Sequence, residues 1–258
     1  MSTLANARDV LRLIAHLQRD VTVTDVAGEL GLPKSSVSRT LSMMAEYGFL
    51  ERDPATRAYR PGELIMEASY HFRASRGTVS LLEEEVARLV ADTGYTGYVD
   101  VLDGGESLVL HMRIGTTGAL QAYTPAGTRA PAYASSMGRA LLARLDDSEV
   151  MRLVDSGIER SAGSAPKSRR ELLAQLARVR VDGWEFSRGE YVPGVSGISA
   201  AVEDPDTGQL FGIGIALPAS ELRDDVAERH GRSVRDAALR VGKRIGDPYW
   251  LRYVGAER

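Results

Sequence analysis

Apolar residues recur at helical spacing through the front of the chain, and the period shortens to two from Tyr95 onward. Over residues 4–18, Val10, Leu11, Ile14 and Leu17 fall on one helical face. Val26, Ala27 and Leu30 mark a second, shorter helix. In residues 33–47, Val37, Leu41 and Met44 repeat at i, i+4, i+7. Residues 49–52 and 57–60 read as two short strands around Asp53-Pro54-Ala55-Thr56, a polar turn with proline. Leu64, Ile65, Ala68 and Phe72 then lie along one side of a helix over 63–76, and a further helix spans 78–93. Within that last helix Ser80-Leu81-Leu82-Glu83 has the form of a capping box.

Beyond Tyr95, residues 97–102 and 106–113 read as strands around Asp103-Gly104-Gly105, a glycine hairpin signal. A short strand is expected over 120–123, before a Pro/Gly-rich loop. Helices are expected over 136–145 and 147–155, and a Gly/Ser/Ala-rich loop over 157–166. Ser168-Arg169-Arg170-Glu171 caps a helix running to about Val181. Strands follow over 184–187, 198–203 and 210–217, the last two joined by Pro205-Asp206-Thr207-Gly208, and a helix over 221–245 closes the pattern. The aromatic and basic stretch 250–253 could seal the core or cover a partner subunit. Hairpins outnumber strand–helix–strand units, so the chain is expected to be α+β with a mostly antiparallel sheet.

The segment 22–60 has the parts of a winged helix-turn-helix. Thr24 is placed for an N-cap and is followed by Asp25. Gly31 suits a left-handed helix end, and Pro33 suits a helix start because its missing N–H would be unpaired there. With Val37, Leu41 and Met44 turned to the core, Lys34, Ser35, Ser36, Ser38, Arg39 and Ser42 are left on the other side. Small hydroxyls permit close approach to a duplex, and Arg39 reaches a phosphate or a guanine edge. Arg52, Arg57 and Arg60 suit a wing that grips backbone phosphates. These eight residues (Lys34, Ser35, Ser36, Ser38, Arg39, Arg52, Arg57, Arg60) are the candidate DNA contacts. Double-stranded DNA is the expected partner.

With these features on one chain, the sequence resembles the IclR family of transcriptional regulators. The resemblance runs through Gly-Leu-Pro-Lys-Ser-Ser-Val-Ser-Arg-Thr-Leu at 31–41 and Gly48-Phe49-Leu50-Glu51-Arg52. It continues through Val101-Leu102-Asp103-Gly104-Gly105-Glu106, then residues 134–143, and finally Gly194-Val195-Ser196-Gly197-Ile198-Ser199-Ala200. It implies a winged helix-turn-helix over 1–62, a linker helix over 63–77, and a GAF-like effector and oligomerisation domain over 78–258. It also implies a homodimer or a dimer of dimers on a pseudo-palindromic operator, and a small-molecule effector. Carried over position by position, the family's effector residues fall on Ser136, Met137, Ser187, Gly197, Gly214 and Ala216. A helix opened by Ser136 and Met137 would offer backbone N–H groups to a carboxylate.

Several of these positions depart from the family's pattern. Ser187 stands where some members carry an acid, Gly197 where cysteine is frequent, and Gly214 and Ala216 where small-acid binders carry serines. The departures suggest a larger and less polar pocket, for a bulkier, aromatic acid. Gly214 and Ala216 also alternate with Ile213 and Ile215, which tight sheet packing alone would produce.

Composition trims the remaining options. The formal net charge is −3 over 258 residues, and residues 1–60 hold eight Lys/Arg against seven Asp/Glu. DNA specificity therefore has to come from where charge is placed, not from its amount. The absence of cysteine excludes disulfides and zinc-finger chemistry. Neither a run of eighteen apolar residues nor a basic-then-apolar leader is present, so the cytoplasm is expected and no membrane partner. His16, His71, His111 and His230 are scattered without metal-ligand spacing. Gly194-Val195-Ser196-Gly197 lacks the final spacing of a nucleophile elbow, and no phosphate-binding glycine loop opens a helix. No catalytic residue, metal or cofactor is therefore expected. The competing readings are an enzyme acting on a small acid with an accessory DNA-binding domain, and an architectural DNA binder.

Overall fold

A computed structural model describes residues 3–74, 77–117, 122–154, 158 and 165–253. The chain divides into two compact units, Met1–Gly77 and Thr78–Arg258.

The first unit packs three helices, α1 (Thr3–Leu17), α2 (Val23–Leu30) and α3 (Lys34–Glu46), with a ribbon of β1 (Leu50–Arg52) and β2 (Tyr59–Pro61). Helix α4 (Glu63–Ala74) follows the ribbon. Val10, Leu13, Ile14, Val26, Val37, Leu41, Met44, Leu50 and Tyr59 form one core. The start of α2 lies two residues before the expected position. Thr22, not Thr24, is the N-cap, and its hydroxyl accepts from Asp25 N–H at 3.2 Å while the Asp25 carboxylate accepts from Thr22 N–H at 2.8 Å. The reciprocal bonds need a carboxylate at the third helical position. Asp25 holds that position only if the helix begins at Val23. Arg19 and Thr22 together hold the Asp25 carboxyl below its ordinary range. Gly31 ends α2 at φ 63°, a left-handed conformation that glycine adopts without a Cβ penalty.

The second unit is a six-stranded antiparallel sheet with helices on both faces. Its strands are β3 (Thr96–Asp103), β4 (Glu106–Arg113), β5 (Arg129–Pro131), β6 (Glu185–Arg188), β7 (Val195–Asp204) and β8 (Gln209–Pro218). They lie in the order β5-β4-β3-β8-β7-β6. Helix α5 (Gly77–Thr93) and α9 (Asp224–Ile245) cover one face, where Leu82, Val86, Val99, Ile198, Phe211, Ile213, Val234 and Val241 form the main core. Helix α6 (Ser136–Leu142) covers the other, where Met137 and Leu141 meet Tyr98, Val109 and Ala201. Beyond it lie α7 (Asp147–Leu153) and α8 (Arg169–Asp182). The architecture is thus a helix-turn-helix unit followed by an α+β unit with an antiparallel sheet.

Local corrections follow from packing. Ser80 lies inside α5, which begins at Gly77, so the expected capping box is absent there. Residues 122 and 123 are not in a strand, and 120–121 lie outside the described residues, as do 75–76, 155 and most of 157–164. The strand beside β4 is β5, three residues that end in proline. Pro is tolerated there because β5 is the sheet edge. Helix α6 stops at Leu142, three residues short of expectation, and α9 starts at Asp224 instead of 221. The C-terminal aromatic stretch belongs to α10 (Pro248–Arg252), and Trp250 is buried with its indole N–H donating to Ala201 O at 2.8 Å.

Candidate nucleic-acid face and effector cavity

Helix α3 presents two sides. Val37, Thr40, Leu41 and Met44 are buried, while Lys34, Ser35, Ser38, Arg39 and Ser42 are exposed and Ser36 is half-buried. Thr40 is therefore a core residue despite its hydroxyl. Among the described residues no carboxylate forms an ion pair with Lys34, Arg39, Arg52 or Arg57. The wing turn is built by Asp53, whose carboxylate accepts from Ala55 N–H at 2.8 Å and Thr56 N–H at 2.7 Å. This turn holds Arg57 in a left-handed conformation at φ 60°, which costs a non-glycine residue about 1 kcal/mol. Arg52 stacks its guanidinium 5.5 Å from the Tyr59 ring centroid. Arg60 differs from the other wing arginines: it forms a forked pair with Glu51, directly opposite on β1, at 3.1 and 3.2 Å.

In the second unit a cavity of about 250 Å³ lies on the α6 face of the sheet. An apolar cavity of roughly 150 Å³ already admits benzene, so this space holds one ring with its substituents. All six candidate effector positions (Ser136, Met137, Ser187, Gly197, Gly214 and Ala216) line it. Ser136 Oγ sits 3.1 Å from Ser199 Oγ, both buried. The reading that lost side chains enlarge the pocket is corrected at two positions. A Cβ on Gly197 would stand 2.5 Å from Ser136 Oγ. One on Gly214 would stand 2.5 Å from Ile198 O and 2.6 Å from Ser199 Oγ. Those glycines let two serine hydroxyls and a neighbouring strand close in; the freed volume does not pass to the cavity. The carboxylate-receptor reading of α6 also changes. The helix is seven residues long, and Ser135 already caps it by accepting from Gly138 N–H at 3.1 Å. Its dipole is that of two turns only, and the buried hydroxyls of Ser136 and Ser199 stand beside it in the cavity lining.

Other lining residues escaped the sequence reading: Tyr98, Asp100, Ser107, Thr124, Thr128 and Ser199. Asp100 had a visible signal, since it interrupts an otherwise apolar strand pattern at a position sharing the parity of Tyr98 and Leu102. Behind the cavity floor, Arg139 of α6 is fully buried. Its guanidinium lies 2.7 Å from a Glu190 carboxylate oxygen and 3.7 Å from Glu185, and donates to Tyr133 O and Phe186 O at 3.2 and 3.0 Å. Glu190 begins the turn that brings Tyr191 and Val192 to the cavity wall. Burial pushes the Glu185 carboxyl up, and Arg139 opposes it.

A helix-turn-helix with a free hydroxyl-and-cation face, joined in one chain to a unit with a ring-sized cavity, defines a DNA-binding regulator with a sensory domain. Family models agree: the IclR helix-turn-helix domain matches residues 3–54, and the bacterial transcriptional regulator IclR C-terminal domain matches residues 75–243. The chain belongs to the IclR family of bacterial transcriptional regulators. It is 28% identical over 236 residues to the HTH-type transcriptional regulator BhcR of Paracoccus denitrificans, covering 91% of this chain and 84% of that protein. It is 26% identical over 243 residues to the transcriptional repressor IclR of Escherichia coli, covering 93% and 89%. The fold is shared with an IclR homologue from Microbacterium hydrocarbonoxydans crystallised with 4-hydroxybenzoate. The TM-score is 0.73 at 20% identity, over 95% of this chain and 99% of that one. No helix among the described residues is long and apolar enough to cross a membrane.

Proposed function

We propose that the protein is a transcriptional repressor that holds a pseudo-palindromic operator as a homodimer or a dimer of dimers, and that its affinity for DNA is set by an aromatic carboxylic acid in the cavity. The observation that carries this reading is the two-sided α3, with Lys34, Ser35, Ser36, Ser38 and Arg39 set opposite a buried Val37–Leu41–Met44 stripe. Arg39 reads a base edge or grips a phosphate, and the serines allow the helix to enter the groove. Arg52 and Arg57 hold the flanking backbone, while Arg60 contributes less because Glu51 already neutralises it. Ser136, Met137, Ser187, Gly197, Gly214 and Ala216 frame the effector. An effector shifts DNA affinity only as far as it prefers one conformation over the other. The repressor named among the relatives and the 4-hydroxybenzoate held by a structural neighbour support both halves of the proposal.

Two measurements test it. Arg39→Ala is expected to weaken operator binding by about ten- to a hundredfold, the worth of one specific side-chain contact, with the melting temperature unchanged because Arg39 is exposed. A gel shift unaffected by the substitution would remove α3 from the interface. In a thermal-shift screen, aromatic acids are expected to raise the apparent stability and pyruvate or glyoxylate to leave it unchanged. The reverse ranking would overturn the aromatic assignment.

A further inference from the structure

The cavity contains one acid whose surroundings are incomplete. Asp100 is 5% exposed and lies on β3, on the same face as Tyr98, Met137 and Val109. Its Oδ2 accepts from the Ser107 hydroxyl on the adjacent strand. Its Oδ1 is buried, and among the described residues no group donates to it. The strand opposite is bulged here: Val99 pairs with His111 but Asp100 with Val109, so Leu110 is left over. The extra residue is on β4, while Asp100 keeps the regular alternation of β3 and faces the cavity with Tyr98. Leaving a buried acceptor unmet destabilises the fold, the more so when it is charged, and nothing in the packing of the sheet requires an acid at this position.

We propose that the effector carries a hydroxyl group remote from its carboxylate, and that this hydroxyl donates to Asp100 Oδ1. The proposal rests on the cavity being the effector site. Three observations converge on a hydroxylated ring. The Ser107 hydroxyl already satisfies one carboxylate oxygen, and a second hydroxyl completes the pair in the same chemistry. Among the described residues the only cation lining the cavity is Arg129, and it is engaged by Asp103 and Glu106. An ammonium group would need both its own charge and that of Asp100 to be desolvated, whereas a hydroxyl keeps the cost to one. Finally, the polar groups stand at two ends of the cavity. Asp100 is on β3, while Ser199 and Ser187 are on β7 and β6, beyond β8. Strands β3 and β7 are two spacings apart, roughly 10 Å between backbones. A single ring with its carboxylate among Ser136, Ser187 and Ser199 and its hydroxyl at the far side bridges that gap. Its apolar faces meet Met137, Val109, Val192 and Ala216.

Calorimetric titration of the full-length protein with benzoate, 3-hydroxybenzoate and 4-hydroxybenzoate tests the idea. Wild type is expected to bind at least one hydroxylated acid about tenfold or more tighter than benzoate, the worth of a hydrogen bond to a charged acceptor. Asp100→Leu is expected to erase the preference while benzoate binds at least as well as before. Asp100→Asn, which preserves the shape of the site, guards against a folding artefact and is expected to reduce the preference to about threefold or less, because a neutral amide accepts more weakly. Equal binding of all three acids by wild type, or a preference that survives in both variants, overturns the assignment of Asp100 while leaving the cavity as the effector site. Failure of every acid both to bind and to alter the operator complex removes the effector reading itself, and this inference with it.

Discussion

Arg139→Met is expected to destabilise the C-terminal unit by about 3–5 kcal/mol, the usual result of removing one partner from a buried ion pair. Arg139 is fully buried and faces two buried carboxylates, Glu185 and Glu190. Methionine fills similar volume, so the loss is not a cavity effect. It arises because two acids are left in a desolvated site without a cation, and because Tyr133 O and Phe186 O lose their donor. Arg139→Lys keeps the charge but gives up the planar fork that reaches these groups at once, and an intermediate loss is expected. Urea unfolding followed by tryptophan fluorescence reads the effect, since Trp184 and Trp250 both lie in the second unit. The triple variant Arg139→Met, Glu185→Gln, Glu190→Gln is expected to recover most of the stability, because the orphaned charges leave with the cation. A triple variant as unstable as the single one would show that Arg139 acts through packing instead. Effector affinity is expected to fall in the single variant as well, since Glu190 anchors the turn carrying Tyr191 and Val192 to the cavity wall.

Asp100→Asn is expected to do the opposite to stability, and only above acid pH. Burial pushes the Asp100 carboxyl up to about 6 from its ordinary 3.8, and only the Ser107 hydroxyl opposes the shift. Between those two values the folded chain binds a proton that the unfolded chain has released, so this group's contribution falls as pH rises through the window. The rise from 3.8 to about 6 corresponds to a destabilisation of about 3 kcal/mol, absent below pH 4 and fully developed above pH 6. An asparagine has no proton to lose. The variant is therefore expected to gain about 1–3 kcal/mol over wild type at pH 7 and nothing at pH 4, read from urea midpoints at the two values. A gain that is the same at both would assign the effect to packing, not to the charge. Together with the expected loss of hydroxyl recognition, this would make Asp100 a residue kept for binding at the expense of stability.

The helix-turn-helix unit is almost entirely legible in the sequence, for a physical reason. Its helices are short and amphipathic, and each apolar stripe on α1, α2 and α3 packs onto its immediate neighbours in sequence. Periodicity therefore named Val37, Leu41 and Met44 as inward and Lys34, Ser35, Ser38 and Arg39 as outward without knowledge of any distant contact. The errors there were of two residues, as at Thr22, where a reciprocal bond to Asp25 decides the cap. The cavity was legible only as a set of positions carried over from a resemblance. All six line it; at Gly214 the geometry favours the tight-packing reading, and at both Gly197 and Gly214 the missing Cβ makes room for a serine, Ser136 and Ser199 respectively. Those pairs are separated by 61 and 15 residues, read from their numbers, and no local pattern links them.

Local order in the amino-acid chain was thus enough for the helix-turn-helix, its outward face and the antiparallel character of the second unit, because each depends on spacing within about a dozen residues; the family was legible from the order of several such blocks along the chain. Which strands stand side by side, the β4 bulge opposite Asp100, the burial of Arg139 between two acids, and the glycines that admit hydroxyls were decided by long-range packing. Those features depend on the β5-β4-β3-β8-β7-β6 order, which places residues remote in the chain a single strand spacing apart.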